Sequence, residues 1–247
     1  MGFEVNVEGP RRMFCLLNEN GDIVFSLSES VVTGWLVILI VLAACLILTK
    51  DLKKIPDTKR QCAAEYIVKT VNNMVSVNMD KSSLAYAPYI AAVFSYIIVG
   101  TLISMIGFRS ITADISVTGA LAFMTFVLVT CTKLKHMGVG GYFKQFINPL
   151  NIIGEVANPV AMALRLFGNV SGGMIITMIL YAGLGAASGA LYDLIGISPI
   201  ENVGYVFNIF QVGIPAVLSV YFDLFSGAIQ SYVFIMLTMA YIQMGKE

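Results

Sequence analysis

The stretch MALRLFGNVSGGMIITMIL, residues 162–180, holds a single charged side chain, Arg165, and no further charge follows until Asp193. A helix needs about 20 apolar residues to cross the hydrocarbon of a bilayer, and this run supplies them. Arginine keeps its proton inside proteins, so it cannot escape burial by becoming neutral. At a bilayer centre its charge costs about 2.5 kcal/mol or more. The segment reads as a membrane helix carrying a cation whose cost something must offset.

The composition around it agrees. Of 247 residues, 57% are hydrophobic and 12% charged, about half the charge fraction of a soluble domain, and mean hydropathy is +0.82. The predicted fold class is an all-α integral membrane protein with about five transmembrane helices plus interfacial helices. Residues 31–49 form one span, with SLSES ahead of it offering N-cap residues. The run between Lys81 and Arg109 forms a second, and residues 115–132 a third. After Pro149 apolar residues continue almost unbroken to Met244. There GLGAASGALYDLIGISP (183–199) reads as the turn between two long helices packed as a hairpin. Residues 61–79 are mildly amphipathic and are expected along the cytoplasmic interface.

Basic residues set the orientation. Lys50, Lys53, Lys54, Lys59 and Arg60 follow the first span, Lys69 and Lys81 precede the second, and Lys133, Lys135 and Lys144 follow the third. Arg11, Arg12 and Arg109 fall on the opposite side. The positive-inside rule then places the N-terminus outside and the end of the last helix, with Lys246, in the cytoplasm. No cleavable signal peptide is expected, because the first apolar run begins near Val31, and a bacterial inner membrane is the expected location. Three regions are expected: an extracytoplasmic segment (1–30), peripheral transmembrane helices with cytoplasmic loops (31–148), and an ion-translocating helix hairpin (149–247). No internal repeat supports an inverted-repeat transporter.

Cys15, Cys45, Cys62 and Cys131 stand far apart without a CxxC pair, which argues against a disulfide framework or zinc site. Cys45 and Cys131 are expected as small buried packing residues, and His136, in LKHMG, as a solvated loop residue. No Walker-type phosphate loop is present.

At helical spacing, the face that holds Arg165 also carries Ala161, Gly168, Asn169 and Gly172. Gly168 and Gly172 form a GxxxG, a face suited to close approach of a neighbouring helix. A snorkelling arginine is the plainer explanation. Against it, Arg165 lies ten residues beyond Glu155, about 15 Å of helix. The last helix carries a matching polar stripe: Asn208, Gln211, Pro215, Ser219, Asp223, Ser226 and Gln230, spaced by three or four. A polar line at membrane depth must face protein or water. It is either a hydrogen-bonded seam with a structural Arg165–Asp223 pair, or an aqueous ion path with a titratable carboxylate in it.

These residues resemble the subunit-a family of the F-type ATP synthases. The resemblance covers nearly the whole chain and is carried by LRLFGN (164–169), IQSYVFIMLTMAYI (229–242), TADISVT (112–118) and GVGGYFKQFINPLNII (138–153). It implies a non-catalytic, ion-translocating stator subunit with no cofactor and no metal. The implied partners are the rotating c-ring, the peripheral-stalk b subunits, the lipid bilayer and the transported H⁺ or Na⁺, with no nucleic acid. The resemblance also assigns roles. Arg165 matches the essential arginine facing the ring carboxylate, and Asn169 the polar residue one turn on. Gln230 matches the glutamine of the last helix, Asp223 stands where relatives carry His or Glu, and Asp114 matches the acid of the outer loop. Glu155 corresponds to an acid at the cytoplasmic approach. The chain departs from the family at Met174, where many relatives have glutamate, at Ser110-Ile111 in place of a proline pair, and at Ser116 in place of asparagine.

Two readings of other classes compete. A stand-alone channel or secondary transporter gated by Arg165 and Asp223 would work without partners. An intramembrane hydrolase needs a nucleophile with a base or metal, and the single histidine and the lack of HExxH speak against it.

Overall fold

The computed structural model describes residues 12–17, 23–50, 53, 58–104, 106, 108, 110–145, 149–195, 217–218 and 220–246. The described body is helical, and five of its helices are long and apolar enough to cross a membrane, as expected. Ahead of them stands an element the sequence reading did not contain. Strand β1 (Arg12–Leu17) pairs antiparallel with β2 (Ile23–Ser28), with Leu16 opposite Phe25, and β2 runs directly into the first helix.

Helix α1 (Glu29–Thr49) buries one narrow stripe, Ser30, Thr33, Gly34 and Val37. Its other faces, including Trp35, Leu39 and Leu46, stay open, as suits a span bathed in lipid. A methyl group at Gly34 would sit 3.0 Å from the Tyr96 hydroxyl, so the glycine permits close contact with the third helix. Helix α2 (Lys59–Asn78) buries Gln61, Val71 and Val75 and leaves Tyr66, Ile67, Val68 and Val77 exposed. Gln61 is held at both ends, its amide donating to the Lys53 carbonyl at 2.5 Å and to Glu65 Oε1 at 2.9 Å.

A short 3₁₀ segment (Lys81–Tyr86) leads into α3 (Ala87–Ser104), and a second (Ile111–Ala113) precedes α4 (Ile115–Gln145). Tyr86 and Tyr89 reach across to α4, their hydroxyls 3.0 Å from those of Thr132 and Thr125. Helix α4 breaks at Gly138, whose φ of 71° and ψ of 161° lie outside helical space. That conformation is essentially restricted to glycine.

Helix α5 (Pro149–Ile195) has 47 residues, about 70 Å at 1.5 Å per residue, against a hydrocarbon thickness of about 30 Å. Such a helix must lie steeply tilted or bend, and Pro159 within it lacks the N–H that would pair the Glu155 carbonyl. Within the stretch 183–199 expected as a turn, residues 183–195 continue α5 as helix, and 196–199 lie outside the described residues. In lipid an unpaired backbone group costs several kcal/mol, more than the roughly 1 kcal/mol helix penalty of a glycine, so the small residues remain helical.

A π-helical turn (Tyr221–Ser226) then opens the last described helix, α6 (Gly227–Met244). Helix α6 supplies the centre of the core. Phe234, Ile235, Met239 and Ile242 are fully buried, packed with Ile90, Val93 and Ile97 of α3, Val71 and Val75 of α2, Val129 of α4, and Met162 and Leu166 of α5. Gly227 lets α6 approach α3, since a methyl group there would lie 3.2 Å from Thr101. The far end of α6 is fastened by Gln243, which donates to Asp80 Oδ2 at 2.9 Å, and by Lys246, which bonds Ser83 and lies 5.6 Å from the Tyr86 ring centre.

Two side-chain expectations change. Cys45 and Cys131 are exposed, not buried. Lipid exerts no hydrophobic drive that would pull a small thiol inward, so apolar residues line outer and inner faces alike. His136 is exposed as expected, but it sits on the last turn of α4 before the Gly138 break and not in a loop.

Candidate functional site

Arg165 projects from the exposed face of α5, between exposed Ala161, Leu164 and Gly168, while Met162 and Leu166 on the adjoining face are buried in the core. A side chain added at Gly168 or Gly172 would meet nothing within 4 Å. The small-residue face is therefore open. Among the described residues, no hydrogen bond or ion pair engages the guanidinium.

One turn on, Asn169 turns toward the π-helical segment. The Ser226 hydroxyl donates to Asn169 Oδ1 at 2.6 Å, and Asn169 Nδ2 donates to the Ser226 carbonyl at 3.2 Å. This pair clamps α5 to the start of α6. Near the other end of the contact, Glu155, Pro159 and Met162 share a cleft with Tyr241 and Met244, so the two helices run antiparallel as the expected hairpin. π-helical turns recur at functional sites because they leave backbone groups without their usual partners. Within this one the Tyr221 and Phe225 rings stack at 5.3 Å.

The backbone of Asp223 lies in the same turn, three residues before Ser226; its side chain is outside what the structure describes. Asn208, Gln211 and Ser219 lie outside the described residues. The described remainder of the stripe, Ser226 and Gln230, is half-buried, whereas neighbouring Phe225 and Ile229 are exposed. Met174, at the position where many relatives of the resembled family carry glutamate, is half-buried on α5.

Asp114 is placed as a helix cap. Its Oδ1 accepts the Ser116 N–H at 3.0 Å, at the position where a carboxylate satisfies a free donor of α4. This gives Asp114 a structural task whatever else it does.

Glu155 sits in the cleft between α4, α5 and α6. Its side chain is 11% exposed and forms an ion pair through Oε1 with Lys133, itself 20% exposed. The second oxygen, Oε2, accepts the Tyr142 hydroxyl at 3.1 Å. Burial, reinforced by the Glu155 carboxylate, raises the Tyr142 phenol above its ordinary 10.0, so it stays a donor at neutral pH. The cleft has about 60 Å³ of open volume and is also lined by Thr125 and Asn158, which is room for a few waters. Sequence reasoning treated Lys133 only as a topological charge and passed over Tyr142. The detectable signal was GVGG (138–141), glycines that let α4 break and carry Tyr142 to Glu155. Among the described residues, no group of three or more His, Cys, Asp or Glu could hold a metal.

Comparison with known proteins adds to this geometry. The family model described as ATP synthase A chain matches residues 31–243. "ATP synthase subunit a, sodium ion specific" of Propionigenium modestum is 29% identical, the alignment covering 96% of this chain and 85% of that one. "ATP synthase subunit a" of Trichlorobacter lovleyi is 31% identical and that of Geobacter sulfurreducens 30%, each covering 87% of this chain and 86% of the relative.

Proposed function

The chain belongs to the ATP synthase A chain family, and on that premise we propose that its final helix hairpin passes ions along two offset half-paths separated by Arg165. Membership carries the stator role: this is a multi-pass membrane component of the ATP synthase complex. The open face around Arg165 is the feature that carries the proposal. A permanent cation among Ala161, Gly168 and Gly172, unpaired among the described residues, suits a carboxylate brought by another chain, here the ions' carrier on a rotating c-ring.

On this reading ions enter from outside along Asn208, Gln211, Ser219, Asp223, Ser226 and Gln230, with Asp114 at the outer loop. They neutralise a ring carboxylate and leave past Glu155 toward the cytoplasm. Arg165 keeps the passing ring site ionised and blocks a direct leak. One elementary charge crossing the membrane is worth about 2.3 kcal/mol per 100 mV, and the chain's task is to route it, with ATP chemistry performed elsewhere in the complex. The ion is H⁺ or Na⁺, selected by the ring's binding site. Peripheral-stalk b subunits would hold the chain against the turning ring, with residues 1–30 outside a bacterial inner membrane, 31–148 as supporting helices and 149–247 as the ion-carrying hairpin. Arg165→Ala should leave the complex assembled while ATP-driven ion pumping in vesicles is lost. An assembled variant that pumps near the wild-type rate would sink the proposal.

A further inference from the structure

We infer that Lys133 is a positioning residue of the cytoplasmic half-path, a tethered counter-cation that keeps Glu155 from trapping the ions that pass it. The inference rests on the reading above that Glu155 lies on the exit route.

A carboxylate in a narrow, partly dehydrated cleft is a cation trap, because the weak screening there strengthens its hold on any ion that arrives. In this cleft the trap is already filled. Lys133 Nζ pairs with Oε1 and Tyr142 donates to Oε2, so both oxygens are engaged by groups the chain carries itself. Lys133 is held in place from its other side, where its stem lies against Gly245; a methyl group at that glycine would be 3.1 Å from Lys133 Cγ. The ammonium thus bridges from α4 to α5 under the end of α6. A departing ion meets a neutral pair with room for water beside it, and moves on.

Removing the ammonium while keeping the stem leaves Glu155 uncompensated, and its effect depends on direction. Ions leaving to the cytoplasm would be retained, slowing synthesis. Ions entering from the cytoplasm during ATP-driven pumping would be captured at lower concentration. An ion pair that merely braces the fold has no such asymmetry: its loss lowers both activities together, in step with the amount of assembled subunit.

The test uses the complete complex in proteoliposomes, with rates expressed per assembled chain and with Na⁺ and H⁺ each used as the varied ion. Lys133→Met should lower the synthesis rate about fivefold and reduce the cytoplasmic ion concentration for half-maximal pumping about threefold, a split between turnover and half-saturation that bracing alone cannot produce. Lys133→Arg, which keeps the charge, should behave as wild type. Lys133→Met combined with Glu155→Gln should recover most of the synthesis rate, since no free carboxylate remains. Equal losses in both directions for Lys133→Met, or a double variant no better than Lys133→Met alone, overturn the inference about Lys133. If Glu155→Gln alone changes neither rate nor half-saturation, Glu155 is off the path and the reading beneath the inference falls instead.

Discussion

Replacing Gly138 by alanine gives a sharp test of the α4 break, because a neighbouring glycine supplies an internal control of opposite sign. Gly138 adopts φ 71° and ψ 161°, a region that costs a side-chain-bearing residue about 1–3 kcal/mol. Space is not the issue, since a methyl group at Gly138 would meet nothing within 4 Å. The penalty would come from backbone conformation alone. Gly140, two residues on, is exposed, lies in helical conformation and also has open space around its Cα. Alanine there should stabilise the chain by about 0.5–1 kcal/mol, because glycine loses more freedom in a helix. The two variants should therefore differ by about 1.5–4 kcal/mol, in favour of Gly140→Ala. SDS-induced unfolding of the purified chain in mixed micelles, followed by circular dichroism at the helical band, measures the difference. A Gly138→Ala chain as stable as Gly140→Ala would refute the break and, with it, the reason Tyr142 reaches Glu155.

Two further outcomes follow from the hydrogen bonds described. Membrane side-chain hydrogen bonds average about 0.6 kcal/mol, so Asn169→Ala, which removes two, should cost about 1.2 kcal/mol, and Ser226→Ala about half that. The double variant should match Asn169→Ala in the same unfolding assay; a cost equal to the sum of the two would show that the residues do not interact. Tyr142 supplies a pH signature. Its raised value means that the fold favours the neutral phenol, so its stability contribution is complete below pH 10.0 and is lost as pH rises through the higher folded value. Tyr142→Phe should remove that alkaline component, and a difference absorbance titration at the tyrosinate band should assign it; an ordinary titration would contradict the burial of the hydroxyl.

The membrane helices were readable because span length is a coarse signal: 20 apolar residues outweigh most local detail. Arg165, Asn169 and the Asp223–Gln230 stripe stood out for the same reason, as polar groups in a setting that makes each one expensive. Other features failed to stand out where two rules compete. Glycine and serine at 183–189 signal a turn in water and stay helical in lipid. The strands β1 and β2 flank Asn20-Gly21, a hairpin signal, but they are six residues each and abut the stronger pattern of α1. The Lys133–Glu155 pair joins positions 22 apart across a helix break. Charge patterning along one helix cannot reveal such a contact.

The burial of α6 bears on how the chain is made. Phe234, Ile235, Met239 and Ile242 close the core against helices that all precede them in the chain. Helices α1 to α5 therefore leave the ribosome and enter the bilayer before the element that fills their centre exists. In that interval α3 exposes to lipid the Ile90–Ile97 face that α6 later covers, and α5 carries Arg165 without Asn169's tie to Ser226. The nascent chain must wait with that centre unfilled, tied only by contacts such as Tyr86–Thr132 and Lys133–Glu155, and a stall or truncation before residue 227 would strand it in that state. Membrane quality control would have most to act upon during this wait, and insertion factors that shelter polar helices would have most effect.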